Sequence, residues 1–372
     1  MSLVFSDDQE ELRRTVRAFL DQKSPEPEVR RLMETAEGYD PDVWSQMAEQ
    51  LGLQGLAIPE EYGGSGFTWV ELGIVLEEMG RRLLCAPFFS TVVLAATTLI
   101  ESGDDAAKAE WLPGIADGST IATLAVTEDS GQWTADSVEA TATASGDGFA
   151  LSGVKSYVID GHIADLILVV ARTEAGPSVF AVKGDAAGLV RTPMMTLDMT
   201  RKQGRLELDG TPGVLVGTDG GAGELLGRVD DLIVTGLAAE QVGGADFCLE
   251  QAVEYAAVRV QYGRIIGSYQ AIKHKLANVL MVVELAKTGA YNALVAAADS
   301  PDELPEAAAM AKSFCSDAYL KAAADNIQVH GGMGFTWEHP SHLYLRRAKS
   351  TELLFGEPAE WRERLAATVG IS

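Results

Sequence analysis

Apolar residues recur at helical spacing through the first third of the chain. Leu12, Val16, Phe19 and Leu20 mark one helix, and Val43, Met47 and Leu51 mark a second that ends before Gly52. Pro59-Glu60-Glu61-Tyr62-Gly63-Gly64-Ser65-Gly66 reads as a turn-rich loop. A further helix is expected from about Trp69 to Arg82, and an apolar helix after Pro87. From about Ile121 to Leu226 the pattern changes. Short alternating or β-branched runs begin at Thr120, Val138, Ala150, Leu166, Ser178 and Gly204, separated by Gly, Asp and Pro, which predicts an all-β module. The glycine-rich patch Gly217 to Gly223 is expected to be a loop. Long amphipathic segments then follow, from about Asp231 to Arg259, Tyr269 to Ala298 and Leu304 to Gly331. Helix, sheet, helix predicts three domains: helical over 1–117, β over 118–227 and helical over 228–372.

The 372 residues are enough for two or three domains, and 47% hydrophobic with 22% charged is an ordinary globular balance. The net charge of −25 argues against nucleic acid and anionic membranes as partners. No apolar run is read as approaching the roughly 20 residues that cross a bilayer. Met1 to Glu11 is acidic, without the basic and apolar stretches of a signal peptide, so a cytoplasmic location is expected. Cys85, Cys248 and Cys315 are odd in number and far apart, which fits neither a disulfide framework nor a metal site; each reads as a small buried hydrophobe.

The C-terminal segments carry the specific signal. Arg259-Val260-Gln261-Tyr262-Gly263-Arg264-Ile265-Ile266 is followed by Gln270-Ala271-Ile272, then by Gln328-Val329-His330-Gly331-Gly332-Met333-Gly334-Phe335, then by Tyr344-Leu345-Arg346-Arg347-Ala348-Lys349. With the Pro59 to Gly66 loop and Gly153-Val154-Lys155-Ser156-Tyr157-Val158, this order resembles the acyl-CoA dehydrogenase family over essentially the whole chain. The resemblance implies a mixed α and β fold: an N-terminal helical domain, a middle β-barrel or sandwich and a C-terminal four-helix bundle. It implies FAD held between subunits and α,β-dehydrogenation of an acyl-CoA, in which a base takes the α-proton and the β-hydrogen leaves as hydride. It also implies a tetramer and electron transfer to an electron-transferring flavoprotein.

The chemistry of the matching residues suits that role. Arg259 can grip a pyrophosphate with two N–H groups. Gln261 and Gln328 can hydrogen-bond adenosine or phosphate groups. Gly331 and Gly332 let a ligand approach the backbone. Tyr262, Ile266 and Gln270 complete this set. On the flavin-ring side the resemblance points to Val126, Thr127 and Tyr157, the last standing where the family usually has a tryptophan. Apart from Thr127 and Glu128, the loop Thr127-Glu128-Asp129-Ser130-Gly131-Gln132-Trp133 departs from the family's Thr-Glu-Pro, Gly-Ser-Asp pattern. His330 reads as a packed turn residue rather than a base.

The base is the second departure. One usual position falls on Phe355, before Gly356, and the other on Ile233, and neither side chain accepts a proton. Asp230 and Glu240, three residues before and seven after Ile233, share its helix face and are the candidate substitutes. Against that, Asp230 and Asp231 also read as an N-cap and a first-turn acid, and Glu240 as a structural acid. Two functions follow: a dehydrogenase with a relocated base, or a non-catalytic subunit that supplies cross-interface FAD contacts to an unlike partner, as in the family's heterotetramers acting on sterol side-chain CoA esters. A CoA-binding scaffold without redox chemistry is the third. No residue here separates these from an acyl-CoA oxidase, which passes its electrons to oxygen.

Overall fold

The computed structural model describes residues 5–146 and 148–371. Met1 to Val4, part of the acidic start, lie outside them. The chain runs α1 (Asp7–Lys23), α2 (Glu26–Met33), α3 (Pro41–Glu49), α4 (Trp69–Arg82), a π-helical stretch Phe89–Ala96 leading into α5 (Thr97–Glu101), and α6 (Asp105–Ala116). Strands follow: β1 (Ala122–Ala125), β2 (Thr141–Ser145), β3 (Gly148–Ile159), β4 (Leu166–Arg172), β5 (Pro177–Lys183), β6 (Leu189–Pro193) and β7 (Gln203–Val216). Then come α7 (Ala222–Val258), the hairpin β8 (Val260–Gln261) and β9 (Arg264–Ile265), α8 (Gln270–Asp299), α9 (Leu304–His330), α10 (Ser341–Leu353) and α11 (Pro358–Thr368). The residues divide into two compact units. One holds the chain through Val29, Trp69–Leu84 and everything from Val234; the other holds Arg30–Thr68 and Cys85–Ile233.

The second unit is built on a closed sheet. β4 pairs with β5, β5 with β7, β7 with β3 and β3 with β2, all antiparallel, and a parallel bridge Thr141↔Arg172 returns β2 to β4. β1 extends β4 in parallel, and β6 lies on β7. The run Leu166–Ala171 is buried at every residue, which is why it reads as continuously apolar rather than alternating. Phe149 and Phe180 pack at 5.0 Å across the interior.

The first unit is a helical bundle in which α8, α10 and α11 pack on α9, and α4 packs on α1 and α8. Its crossings need glycine. A Cβ on Gly80 would collide with the Glu240 carbonyl, and one on Gly243 with the Glu77 carbonyl, so α4 and α7 approach backbone to backbone. Glu77 and Glu78 are buried there but not bare: Arg13 bridges both, Arg17 reaches Glu78, and the Tyr291 hydroxyl donates to Glu77 at 2.8 Å. Burial, the largest influence, nevertheless leaves the Glu77 carboxyl above its ordinary value. All three cysteines are free and buried.

Several expectations are corrected. α7 begins at Ala222, nine residues before the expected start, so Asp230 and Asp231 are interior residues and not an N-cap pair. The apolar positions Leu225, Leu226 and Val229 carry the helix through Gly223 and Gly227, and the predicted glycine loop ends at Gly221. Val138 lies outside β2, at the end of a short 3₁₀ turn (Ala135–Ser137). β6 was not anticipated. Two helices, α7 and α8, do reach the length and apolar character of a membrane span, although the apolar window of α7 is 89% buried within the protein.

Candidate active site

In the barrel unit the candidate residues meet at a loop and a bulge. β3 and β7 pair regularly to Lys155↔Leu206 and resume at Val158↔Gly204, so Ser156 and Tyr157 together oppose Arg205. This is a β-bulge, a feature that re-aims a side chain. Tyr157 takes a left-handed backbone (φ 59°) and is 45% exposed, offering an aromatic face outward. A bulky residue held there is a local strain of the kind that collects at functional sites. The bulge is tied to the loop after β1 by the Ser156 N–H, which donates to the Thr127 carbonyl at 2.9 Å. Thr127 is nearly buried. Val126 is fully buried, and its carbonyl accepts from Lys155 Nζ at 3.0 Å.

The rest of that loop is held by side chains. Glu128 accepts from Lys155 Nζ at 2.8 Å and from the Glu139 and Ala140 N–H groups at 2.9 Å. Asp129 accepts from the Ser156 hydroxyl at 2.6 Å and from Arg205. Trp133 Nε1 donates to Asp230 at 2.8 Å. The altered residues Asp129 and Trp133 thus make specific contacts of their own.

In the bundle unit the candidates surround the end of α7 and the end of α9. Tyr262 (φ 51°) and Gly263 (φ 79°) form the two-residue turn between β8 and β9, and both positive angles match the turn a tight hairpin needs. The hairpin is anchored by Ile266, which is buried with Ala252, Ala256 and Val329, so Ile266 supports this region and does not line it. Tyr269 donates its hydroxyl to the Gln261 carbonyl at 3.0 Å, and the Arg264 guanidinium sits 3.8 Å from the Tyr269 ring centre. Arg259, Gln261, Tyr262, Gln270 and Gln328 are all exposed. A Cβ built on Gly331 (φ 61°) or Gly332 would meet nothing within 4 Å, so the backbone after α9 is open to a ligand. His330 is buried: its Nδ1 lies 2.9 Å from the Asn326 carbonyl and its ring stacks on Tyr255 at 4.3 Å. Burial lowers its pKa.

The base positions look different. Phe355 is buried, left-handed (φ 61°), and its carbonyl accepts from Trp361 Nε1 at 2.8 Å. Ile233 is wholly buried. Glu240, on α7, is 4% exposed and ion-paired with the equally buried Arg347 of α10 at 2.8 Å. Asp230 is half-buried and carries the Trp133 contact. Lys312 of α9 is fully buried and donates to the Ser316 hydroxyl at 3.2 Å and to the Thr351 and Glu352 carbonyls at 2.8 and 3.0 Å, closing the last turn of α10 just before Phe355. Burial pushes its pKa down to about 7. The Glu240–Arg347 and Lys155–Glu128 pairs were not visible in sequence, because their partners are 107 and 27 residues apart.

A dinucleotide flavin fits both patches taken singly. The bundle patch offers a cation, exposed amides and bare glycine backbone to an anionic, adenosine-like end. The barrel patch offers an outward aromatic face and a pinned loop to a flat ring. No cluster of His, Cys, Asp and Glu suited to a metal occurs among the described residues.

The chain matches the family descriptions "Acyl-CoA dehydrogenase, N-terminal domain" over residues 6–119, "middle domain" over 123–211 and "C-terminal domain" over 235–369. It is 34% identical to acyl-CoA dehydrogenase IpdE2 of Mycobacterium tuberculosis over 98% of both chains. Among solved structures it resembles a variant of the Tcur3481-Tcur3483 steroid ACAD (TM-score 0.88, 30% identity, 98% of both chains). It also resembles the ChsE4-ChsE5 complex from Mycobacterium tuberculosis (TM-score 0.89, 27% identity, 100% of both chains). By its three domains and its full-length relatives, this chain belongs to the acyl-CoA dehydrogenase family of flavoprotein oxidoreductases.

Proposed function

We propose that this chain is a subunit of an FAD-dependent acyl-CoA dehydrogenase that works with an unlike family subunit. It supplies the Arg259, Gln261, Gln328 and Gly331-Gly332 contacts to FAD, and the partner supplies the base. The observation that carries this reading is the fate of the four base candidates. Phe355 and Ile233 are apolar and buried, Glu240 is committed to Arg347, and Asp230 holds the Trp133 indole. A general base needs a carboxylate within reach of the proton it removes. A carboxylate clamped to a buried arginine is a poor proton acceptor.

FAD supplies the two-electron acceptor for the β-hydride when bound. The protein's part is binding and orientation. Arg259 would neutralise the pyrophosphate, and the open space over Gly331 and Gly332 would let the cofactor approach the backbone after α9. In the barrel unit taken by itself, Tyr157 would offer its aromatic face to a flavin ring from its bulge. The electrons pass to an electron-transferring flavoprotein, and the assembly is a heterotetramer in the cytoplasm. The steroid ACAD supports a bulky, steroid-type acyl-CoA as substrate, and the two-named ChsE4-ChsE5 complex supports an unlike partner. Gly236, Leu237, Ala238 and Ala239 are fully buried and serve helix packing.

The second reading is a self-sufficient enzyme with Asp230 as base, favoured by its partial exposure. Anaerobic addition of short-chain, long-chain and steroid side-chain acyl-CoAs to the FAD-loaded chain separates the two. The heteromeric reading predicts that flavin absorbance does not bleach. Bleaching that disappears in Asp230→Asn would establish the second reading instead.

A further inference from the structure

We propose that Lys155 is the positioning residue that fixes the ring-side cofactor loop and the Tyr157 bulge to each other. The inference rests on the reading of Val126, Thr127 and Tyr157 as the flavin-ring side of the site.

The geometry is that of a clamp. Lys155 is wholly buried, and one ammonium group makes two different bonds, to the Val126 carbonyl at 3.0 Å and to Glu128 Oε1 at 2.8 Å. Those acceptors flank Thr127 on both sides. Lys155 itself lies two residues before Tyr157, at the last regular β3–β7 pair before the bulge. The Ser156 N–H to Thr127 carbonyl bond closes the link from the other direction. The far end of Glu128 is spread over the Glu139 and Ala140 N–H groups, so the clamp also reaches the segment that leads into β2. Three chain segments therefore converge on one buried cation.

A buried lysine is a costly way to hold a loop, since burying an ammonium costs several kcal/mol unless it is paired and hydrogen-bonded. The cost of burial shows on the lysine and the pairing shows on the carboxylate. Burial pushes the Lys155 pKa down to about 8. Glu128 is pushed up by burial but held below its ordinary value by Lys155 and the two amides. An apolar side chain would fill the same space more cheaply, but it would leave the Val126 carbonyl without this donor and the loop without its tie to the bulge. The position is explained by orientation of the loop rather than by stability.

The test compares the wild-type chain with Lys155→Met, Glu128→Gln and the double variant. It reads amide hydrogen exchange at Ser156, Glu139 and Ala140, FAD affinity by absorbance titration, and the thermal unfolding midpoint. Lys155→Met is expected to speed exchange at all three amides at least tenfold and to weaken FAD binding at least tenfold. In the double variant the carboxylate left without its lysine is gone, so the midpoint returns toward wild type while Ser156 exchange stays fast. Exchange and FAD affinity both within twofold of wild type in Lys155→Met would overturn the proposal. So would fast exchange with unchanged affinity, or full recovery of exchange in the double variant. If Lys155→Met does not fold, Glu128→Gln carries the comparison through Ser156 exchange and FAD affinity alone, since it removes the charge paired with the lysine but its single amide oxygen can no longer accept at both carboxylate positions. A wild-type chain that binds no FAD without its partner subunit is compatible with a cofactor shared across the interface, and the exchange measurements then judge the clamp by themselves.

Discussion

Two regions of the helical bundle have been treated oppositely. Around Arg259 and Gly331-Gly332 the polar groups are exposed, and the glycines after α9 have empty space above them. At Phe355 and Glu240 the side chains are packed or paired: Phe355 is buried, Glu240 meets Arg347, and Lys312 closes the end of α10. The first is built like a surface awaiting a ligand and the second like a core. On the proposed reading, packing at Phe355 and the ion pair at Glu240 are what leave this chain without a base of its own.

The largest effect should come from opening the packed region. Arg347→Ala leaves the Glu240 carboxylate buried without this arginine, a change that costs about 3–5 kcal/mol. Urea unfolding of the variant checks it. The opposite change, Arg259→Ala, removes an exposed guanidinium and should alter stability by less than about 0.5 kcal/mol. Its effect should fall on FAD affinity, weakened by roughly 10–100-fold for loss of a charge-assisted contact. If Arg259→Ala unfolded the chain and Arg347→Ala did not, the contrast between the two regions would be reversed.

The next effect is on pH dependence. The folded pKa of Lys312 is depressed to about 7 by burial, so between that value and its ordinary 10.5 the unfolded chain holds a proton that the folded chain has released. Stability should rise with pH across that window, by at most about 1.4 kcal/mol per pH unit, because below it the folded protein must bury the charged ammonium. Lys312→Met should flatten this slope in thermal unfolding measured from pH 6 to 10. The smallest effect is at the hairpin. Tyr262 is 95% exposed with φ 51°, ahead of Gly263, a position that asparagine tolerates better. Tyr262→Asn should leave stability unchanged or raise it by about 0.5 kcal/mol, with any loss confined to cofactor binding.

The contrast between the regions also marks how far the sequence could be read. Periodicity delivered α4 from Trp69 to Arg82, and the change of texture after Ile121 delivered the barrel strands, because burial on one or both faces writes itself into neighbouring residues. The start of α7 was misplaced because glycines and two aspartates look like a loop and a cap, while the apolar positions that override them lie in between. The motif around Arg259 and Gly331 was legible since its residues are local and chemically distinctive. That the usual base positions fall on Phe355 and Ile233 is an expectation of the resemblance, and that neither side chain accepts a proton is plain from the sequence. The partners of the acidic candidates were not legible, because Arg347 meeting Glu240 and Trp133 meeting Asp230 are pairings between residues about a hundred apart, which no local pattern records. The Tyr157 bulge was hidden for a related reason: its register slip is a property of β3 against β7, not of either strand alone.

The central claim is that this chain does not carry its own base, and α-proton exchange tests it apart from any flavin chemistry. The wild-type chain would be incubated in deuterated buffer with a saturated steroid side-chain acyl-CoA and with butyryl-CoA, and deuterium at the carbon next to the thioester followed by mass spectrometry. The account predicts no exchange above the buffer rate, with Asp230→Asn and Glu240→Gln indistinguishable from wild type. Exchange well above that rate, abolished in either variant, would contradict it and place the base on this chain.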